Sequence, residues 1–320
     1  MSTYLDIARF GEYLARHRGA EADRQKRLVG VDSRHGSWYF DIVRFFGNEA
    51  ANPSKIRIVY DSAQRQSPDK LIGQFNAKIA AALRAEGRLY DGPPVVQITG
   101  AEWSPGAESI SIRALDYAEQ VAGFAMDFPD EIFKRWGGTL RNYVREMYPS
   151  YDLANAPLKS GVGVCGMVVT KENAPTQVLS VKRSARLASL ENSVGPSVAG
   201  SVEFADNFRT LGELIERSMN REVQEELGLK QEEYSVRPLA YAREMLRGDR
   251  PQLFTVVETN LTCTEIAGRM EALPSEAREF SEFEFVELTH GKPAATGVAS
   301  FNFEAKMNYY LLEEWLASRQ

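Results

Sequence analysis

Acidic side chains are concentrated in one segment of the chain, residues 203–229. Seven acids lie between positions 203 and 226, and three of them, Glu222, Glu225 and Glu226, stand three and four residues apart. On a helix this spacing puts all three on one face, where they repel each other and meet the negative end of the helix dipole. A divalent cation would remove that repulsion, and all-oxygen ligands favour Mg²⁺ or Mn²⁺. The segment therefore predicts a metal site, for which a solvated helix face is the ordinary alternative.

The same segment carries the signals of a helix over residues 211–227. Apolar residues recur at every fourth position and would pack against a sheet, namely Ile215, Met219, Val223 and Leu227. Gly228 follows the last turn, where a helix favours a residue that tolerates a left-handed conformation. Arg221 lies one turn before Glu225 and can hold its carboxylate in place.

The order of residues at 221–229, Arg-Glu-Val-Gln-Glu-Glu-Leu-Gly-Leu, with Glu213 eight positions before Arg221, resembles the Nudix box. The family pattern is G-x5-E-x7-R-E-U-x-E-E-x-G-U, where U is a bulky aliphatic residue. Every position matches except the first, where Asn207 stands in place of glycine. The resemblance extends from about residue 161 to the C-terminus. It implies a Nudix α/β/α sandwich around a mixed sheet, in which the box forms a loop, a helix and a loop.

The resemblance also implies an activity. Nudix enzymes use Mg²⁺ or Mn²⁺ to hydrolyse the diphosphate bond of a nucleoside diphosphate linked to another moiety, which gives a nucleoside monophosphate and a phosphorylated product. The box would supply Glu222, Glu225 and Glu226 as metal ligands, with Arg221 orienting them. Glu213 completes the catalytic candidates, but it lies about 180° round the helix from Glu222, so we expect it to brace the loop.

The general base and the substrate contacts are less defined. The base is either a glutamate of the box or one of four later acids, Glu276, Glu279, Glu282 and Glu284. Lys182 and Arg183 end the strand before the box, and Arg183 stands where the family often faces phosphates. Gly200, in the segment 199–203, resembles the glycine of the family's strand end. Residues 204–212 would then be an insertion, similar to that of atypical Nudix proteins that cleave UDP-sugars, so the expected substrate is of UDP-sugar or ADP-ribose type.

Three other interpretations of the sequence compete with hydrolysis. A catalytically weak Nudix module that binds or senses nucleotides would account for Asn207 and for an N-terminal half without resemblance to a known family, but it needs no complete carboxylate set. An isomerase acting on isopentenyl diphosphate would need a cysteine-rich motif that Cys165 lacks. A dinucleotide fingerprint at 161–166 is disfavoured because a strand runs through its glycines. Phe254 or Tyr241 could stack on a base, but both are expected to belong to the core.

Composition sets the remaining expectations. The chain has 320 residues, a formal net charge of −6 and a pI of about 5.4. The length favours two domains, an N-terminal α+β domain at 1–155 and a Nudix domain at 156–320, joined near 148–161. The sequence contains no apolar run of transmembrane length and no secretory signal pattern, and it has only two cysteines. These features predict a cytoplasmic protein. The acidic balance argues against nucleic acid as a partner, and general frequency favours a homodimer.

Hydrophobic periodicity predicts the elements that would position these residues. The predicted helices span 4–18, 70–86, 130–147, 211–227 and 303–317. The predicted strands span 27–32, 37–46, 55–60, 94–99, 109–113, 162–170, 177–183, 234–243, 252–259 and 282–287.

Overall fold

The larger of two sheets is mixed and contains strands from both halves of the sequence. It is seen in a computed structural model that describes residues 28–31, 38–46, 51–62, 69–89, 92–149, 156–170, 176–185, 187, 190, 193–275, 278–289, 292–293 and 302–318. Its strand order is β1-β2-β10-β11-β6-β7-β12-β13, with β9 beside β6 and β8 beside β7. These strands are β1 (Leu28–Val31), β2 (Trp38–Phe45), β6 (Gly163–Thr170), β7 (Gln177–Arg183), β8 (Val194–Gly195), β9 (Val198–Ser201), β10 (Tyr234–Glu244), β11 (Arg250–Thr259), β12 (Phe280–Thr289) and β13 (Lys292–Pro293).

Helices cover both faces of this sheet. The helices of the described chain are α1 (Lys70–Ala85), α2 (Leu140–Met147), α3 (Leu211–Leu227), α4 (Cys263–Ala272) and α5 (Phe303–Ala317). Successive side chains of β6 point to opposite faces. Cys165 and Met167 pack in a core with α5, whereas Val164 and Val168 pack in a second core with α3. The predicted α/β/α sandwich around a mixed sheet is therefore confirmed, with β11 and β6 as its parallel pair.

The N-terminal half shares its interior with the later half. A smaller sheet of order β3-β5-β4, made of β3 (Arg57–Tyr60), β4 (Val95–Glu102) and β5 (Ser109–Leu115), packs into the core beneath α3. Strand β2 pairs in antiparallel fashion with β10, so it extends the sheet of the later half. A separate apolar cluster is formed by α1, α2 and a 3₁₀ segment at Tyr117–Ala125. The two-domain boundary near residue 155 stays a prediction, and packing across it is extensive.

Most predicted elements lie within a few residues of the observed ones. The predicted helix at 130–147 is wrong as a single element. Residues Glu131–Trp136 form a 3₁₀ helix and α2 begins only at Leu140, because Gly137 and Gly138 adopt φ values of 80° and 85° that no helix continues through. Helix α4 was not predicted, and the predicted helix at 4–18 lies outside the described residues. Among the described helices, none is long and apolar enough to cross a membrane.

Candidate active site

Helix α3 presents the acidic segment to the edge of β9. It begins after Thr210, whose hydroxyl accepts a hydrogen bond from the backbone N–H of Glu213 at 3.2 Å. It ends at Gly228, which adopts a φ of 68°. Each residue of the predicted apolar series is exposed by 1% or less, namely Ile215, Met219, Val223 and Leu227. Burial of that stripe fixes the rotation of the helix and turns the next face, which carries the glutamates, toward β9.

Glu222 and Glu226 lie one turn apart and are both buried. The backbone N–H of Ala199 donates to Oε1 of Glu226 at 3.3 Å. Glu222 packs directly on the backbone of Gly200, where an added Cβ would lie 1.8 Å from its Oε1. No side chain larger than hydrogen fits at position 200 without moving this carboxylate. The structure thus brings Gly200, Glu222 and Glu226 together.

Arg221 organises the carboxylates around it. Its Nη1 donates to Oε2 of Glu225 at 2.9 Å, which is the predicted pair one turn apart, and its Nη2 donates to the Ser201 carbonyl at 2.9 Å. It also donates to Glu222 and lies 3.4 Å from Glu203. Glu225 is much more exposed than the other two glutamates of the box, with 59% of its side chain accessible. Arg221 therefore orients one buried and one exposed carboxylate at the same time.

Burial shifts the titration of the two inner glutamates. It raises the pKa of Glu222 to about 7, with the charge of Arg221 acting in the opposite direction and Glu279 adding to the rise. Burial and the neighbouring charge of Glu222 raise the pKa of Glu226 well above its usual range. Both carboxylates are costly to ionise at neutral pH because each is desolvated and faces other acids.

These carboxylates fit a hard divalent cation in their chemistry. Among the residues that the structure describes, no group of three or more His, Cys, Asp or Glu side chains has the arrangement of a metal site. What the structure does present is a buried, mutually repelling pair of oxygen donors, Glu222 and Glu226, whose ionisation a cation would favour. Oxygen donors of this kind suit Mg²⁺ or Mn²⁺.

A cavity of about 490 Å³ opens beside Glu222, whereas Glu226, one turn further along α3, is not among its lining residues. Its volume is in the range of small-molecule and cofactor sites. Of the predicted site residues, it is lined by Arg183, Gly200, Arg221, Glu222 and Glu225. Of the acids considered as general base, Glu279 also lines it and its charge acts on both buried glutamates.

Other predicted residues lie apart from the cavity. Lys182 is not among its lining residues; its Nζ donates to Glu282 at 2.9 Å on the exposed part of the strand. Glu213 accepts a hydrogen bond from the backbone N–H of Arg209 at 3.0 Å. That contact braces the loop at the start of α3, which is the role expected of Glu213 from its place on the opposite side of the helix from Glu222. Phe254, Tyr241 and Cys165 are fully buried core residues.

The rest of the cavity comes from residues that the sequence pattern did not single out. They include one aromatic residue, Tyr117, and four arginines, namely Arg88, Arg247, Arg250 and Arg278. They come from four separate parts of the chain, and none stands in a local motif. Arg250 follows a turn and opens a buried strand, which was the only local signal it carried.

The segment between β9 and α3 is held by the smaller sheet. The hydroxyl of Tyr60 on β3 accepts from the backbone N–H of Phe208 at 2.5 Å and donates to the Ala205 carbonyl at 3.1 Å. Arg57 forms an isolated bridge with Thr210. Asn207 stands where the family motif has glycine, and its side chain accepts a hydrogen bond from Arg217 at 2.7 Å. Strand β3 therefore supports the loop that leads into α3.

No protein-family model matches the sequence, and no curated protein matches it. Solved structures do match. One is a protein from Deinococcus radiodurans, 21% identical over 39% of this chain and 65% of its own, with a TM-score of 0.27. The chain therefore spans just under two thirds of that protein's length. Another is the Ap4A hydrolase of C. elegans in a binary complex, 14% identical over 49% of this chain and 97% of its own, with a TM-score of 0.33. A third is the Nudix domain of Shewanella oneidensis NrtR in complex with ADP-ribose, 15% identical over 54% of this chain and 96% of its own, with a TM-score of 0.34.

Proposed function

We propose that this chain is a Nudix-type pyrophosphohydrolase that depends on Mg²⁺ or Mn²⁺. It cleaves the diphosphate bond of a nucleoside diphosphate linked to another moiety, of UDP-sugar or ADP-ribose type, and releases a nucleoside monophosphate and a phosphorylated product. The observation that carries the proposal is the buried pair Glu222 and Glu226, set one turn apart, of which Glu222 lines a cavity large enough for such a substrate. The long match of residues 213–229 to the Nudix box supports the same assignment.

The residues would divide the work as follows. Glu222 and Glu226 would hold the cation with Glu225 at the exposed side, while Arg221 keeps Glu222 and Glu225 in place and the Ala199 N–H holds Glu226. A bound divalent ion neutralises charge on the diphosphate and lowers the cost of attack at phosphorus. Arg183 faces the cavity and would bind phosphate oxygens.

We assign the general base to Glu279. It lines the cavity, and its charge acts on both Glu222 and Glu226. In the reaction an oxygen of water forms a bond to one phosphorus and the bond from that phosphorus to the bridging oxygen breaks. The proton released by the water would pass to the Glu279 carboxylate, and the leaving phosphate carries away the electron pair of the broken bond. A Glu279→Gln variant would lose turnover while keeping metal binding.

A cytoplasmic location and a homodimer belong to this proposal as expectations. Cys165 and Cys263 are not joined in a disulfide, which fits a reducing compartment. The dimer rests on general frequency alone.

The test is a substrate panel with a matched pair of variants. UDP-glucose, ADP-ribose, NADH, diadenosine polyphosphates and nucleoside triphosphates are incubated with Mg²⁺ or Mn²⁺, and the products are separated by chromatography. We expect turnover of one class, reduced on the order of 100-fold in Glu226→Gln. Glu216→Gln, at an exposed position of the same helix, should keep wild-type activity.

Two outcomes would overturn the proposal. One is the absence of turnover for every compound with either metal. The other is turnover that Glu226→Gln leaves unchanged. If calorimetry then showed tight nucleotide binding without hydrolysis, the chain would be a nucleotide-binding Nudix module instead.

A further inference from the structure

Arg250 is a buried cation in the cavity wall that has no carboxylate partner among the described residues. Only 6% of the residue is exposed. Its Nε donates to the Gly161 carbonyl at 3.1 Å and its Nη2 lies 3.4 Å from the Ser201 hydroxyl, so both acceptors are neutral. Within the described part of the chain it forms no ion pair. A buried guanidinium that is held only by neutral groups keeps most of its desolvation cost.

The acids nearest to Arg250 are already engaged by another arginine. Nε of Arg247 donates to Glu244 at 2.6 Å, and its Nη2 donates to Glu304. Arg247 thereby has two carboxylate partners, whereas none of the described carboxylates forms an ion pair with Arg250, on which the charges of Glu304 and Glu244 act only at longer range. Burial and the charge of Arg247 accordingly lower the pKa of Arg250. An anion entering the cavity would supply the missing partner.

Arg183 faces the same space with an unused donor. Its Nε is buried and has no hydrogen-bond partner within the described residues. Like Arg250, it lines the cavity and forms no ion pair in the part of the chain that the structure covers. Two guanidinium groups without an ion pair among the described residues therefore line one cavity.

The N-terminal half completes this wall. Tyr117 lines the cavity, and the charges of Arg250, Arg247 and Arg183 all act on its hydroxyl. Phe124, from the same 3₁₀ segment, places its ring 5.8 Å from the guanidinium carbon of Arg250 and 5.9 Å from that of Arg247. Such stacking holds the plane of a guanidinium while leaving its edge free to donate. The segment at 117–125 thus supplies a tyrosine of the cavity wall and a phenylalanine ring near both arginines.

We propose that Arg250 and Tyr117, together with Arg183, form a phosphate-binding subsite of the cavity that is built across the two halves of the chain. The Ser201 hydroxyl contacts Arg250 and the Ser201 carbonyl contacts Arg221, so the subsite adjoins the carboxylate cluster. This subsite binds phosphate oxygens. The assignment of those oxygens to the diphosphate of the substrate rests on the proposed function. The N-terminal half then helps to select substrates rather than only stabilising the fold.

The experiment is calorimetric titration of the full chain with inorganic pyrophosphate in the presence of EDTA. Without metal no hydrolysis takes place, so binding to the cationic wall is measured alone. We expect Arg250→Gln to weaken binding about tenfold or more, because charge-assisted hydrogen bonds are lost. Tyr117→Phe should weaken it roughly threefold, the effect of one neutral donor. Arg237→Gln, which removes an exposed arginine that pairs with Glu258, should bind as the wild type does.

Melting temperatures show whether each variant is folded, and Tyr117→Phe gives an independent test if Arg250→Gln does not fold. Wild-type protein that fails to bind pyrophosphate would overturn the inference. The inference would also be overturned if folded Arg250→Gln bound pyrophosphate as tightly as the wild type does. If Arg250→Gln does not fold, the same result for folded Tyr117→Phe would overturn it. Pyrophosphate binding that depends on Arg250, in a chain that hydrolyses no member of the substrate panel, would leave the subsite standing and remove the proposed activity.

Discussion

Two buried carboxylates on one helix turn are an unusual residue pattern, and their surroundings explain how the chain maintains them. Glu226 accepts from a backbone N–H and Glu222 is paired with Arg221. Neither contact fully offsets the burial, because the pKa of each carboxyl is raised. The folded chain therefore favours the protonated pair when no cation is bound.

The first prediction concerns pH in the absence of metal. The pKa of Glu222 is about 7 in the folded chain against an ordinary value of 4.5. Between these values the folded chain holds a proton that the unfolded chain has released, so the stabilising contribution of this carboxyl is complete below about pH 4.5 and is lost as pH rises through about 7. For Glu222 alone the loss is at most about 3 kcal/mol. Melting temperatures measured in EDTA from pH 5 to 8 should fall, and less steeply in Glu222→Gln.

Glu216→Gln serves as the control for this slope, because its side chain is exposed on the same helix. Addition of Mg²⁺ at pH 8 should raise the melting temperature of the wild type more than that of Glu222→Gln, since the cation binds the ionised carboxylates. An identical pH slope in wild type and Glu222→Gln would contradict the assigned shift.

A second prediction follows from the contact of Glu222 with Gly200. In Gly200→Ala the new methyl would start 1.8 Å from Oε1 of Glu222, so the carboxylate must leave its position. We expect a loss of about 1–3 kcal/mol in stability together with loss of turnover. Gly268→Ala is the matched control, because nothing lies within 4 Å of its added Cβ on helix α4. Denaturant unfolding measures both variants, and equal effects at the two positions would refute the argument.

At the scale of elements, α3 shows how far local pattern could reach. Its bounds, 211–227, were predictable because an apolar stripe, a capping threonine and a terminal glycine all agree. Its partners were not predictable, because Arg250 and Tyr117 reach the cavity through long-range packing that leaves no local pattern. The predicted helix at 130–147 failed for the opposite reason: apolar spacing continued across two glycines whose backbone conformations interrupt the helix.

The prediction at this scale separates the roles of Glu213 and Glu226. Glu213 accepts from the backbone N–H of Arg209 and lies in the first turn of α3, away from the cavity. Glu213→Ala should therefore cost about 1 kcal/mol in stability, as loss of a helix-start contact does. Turnover should fall far less than in Glu226→Gln. Full loss of turnover in Glu213→Ala with unchanged stability would show that Glu213 acts on the reacting groups.

At the scale of the whole molecule, the two halves of the chain are interleaved. Strand β2 pairs with β10, and isolated bridges join Val95 to Glu203 and Gln97 to Gly161. Apolar residues of the smaller sheet, including Ile98 and Ile110, share one core with α3. Composition alone divided the chain near residue 155 because the Pro-rich stretch there resembles a linker. Strand pairing across a linker leaves no trace in local sequence.

The last prediction is that residues 156–320 do not fold as an independent unit. Without the first half, β10 loses its pairing with β2 and presents an open sheet edge, and the core beneath α3 loses the side chains of the smaller sheet. The isolated fragment should aggregate or lack a cooperative thermal transition by circular dichroism, whereas the full chain should unfold in urea as one transition. Co-expression of residues 1–155 should restore a soluble complex, since the missing strands are then supplied in trans. A fragment that melts cooperatively at the temperature of the full chain would instead establish two autonomous domains, and the contacts between β2 and β10 would then contribute little to stability.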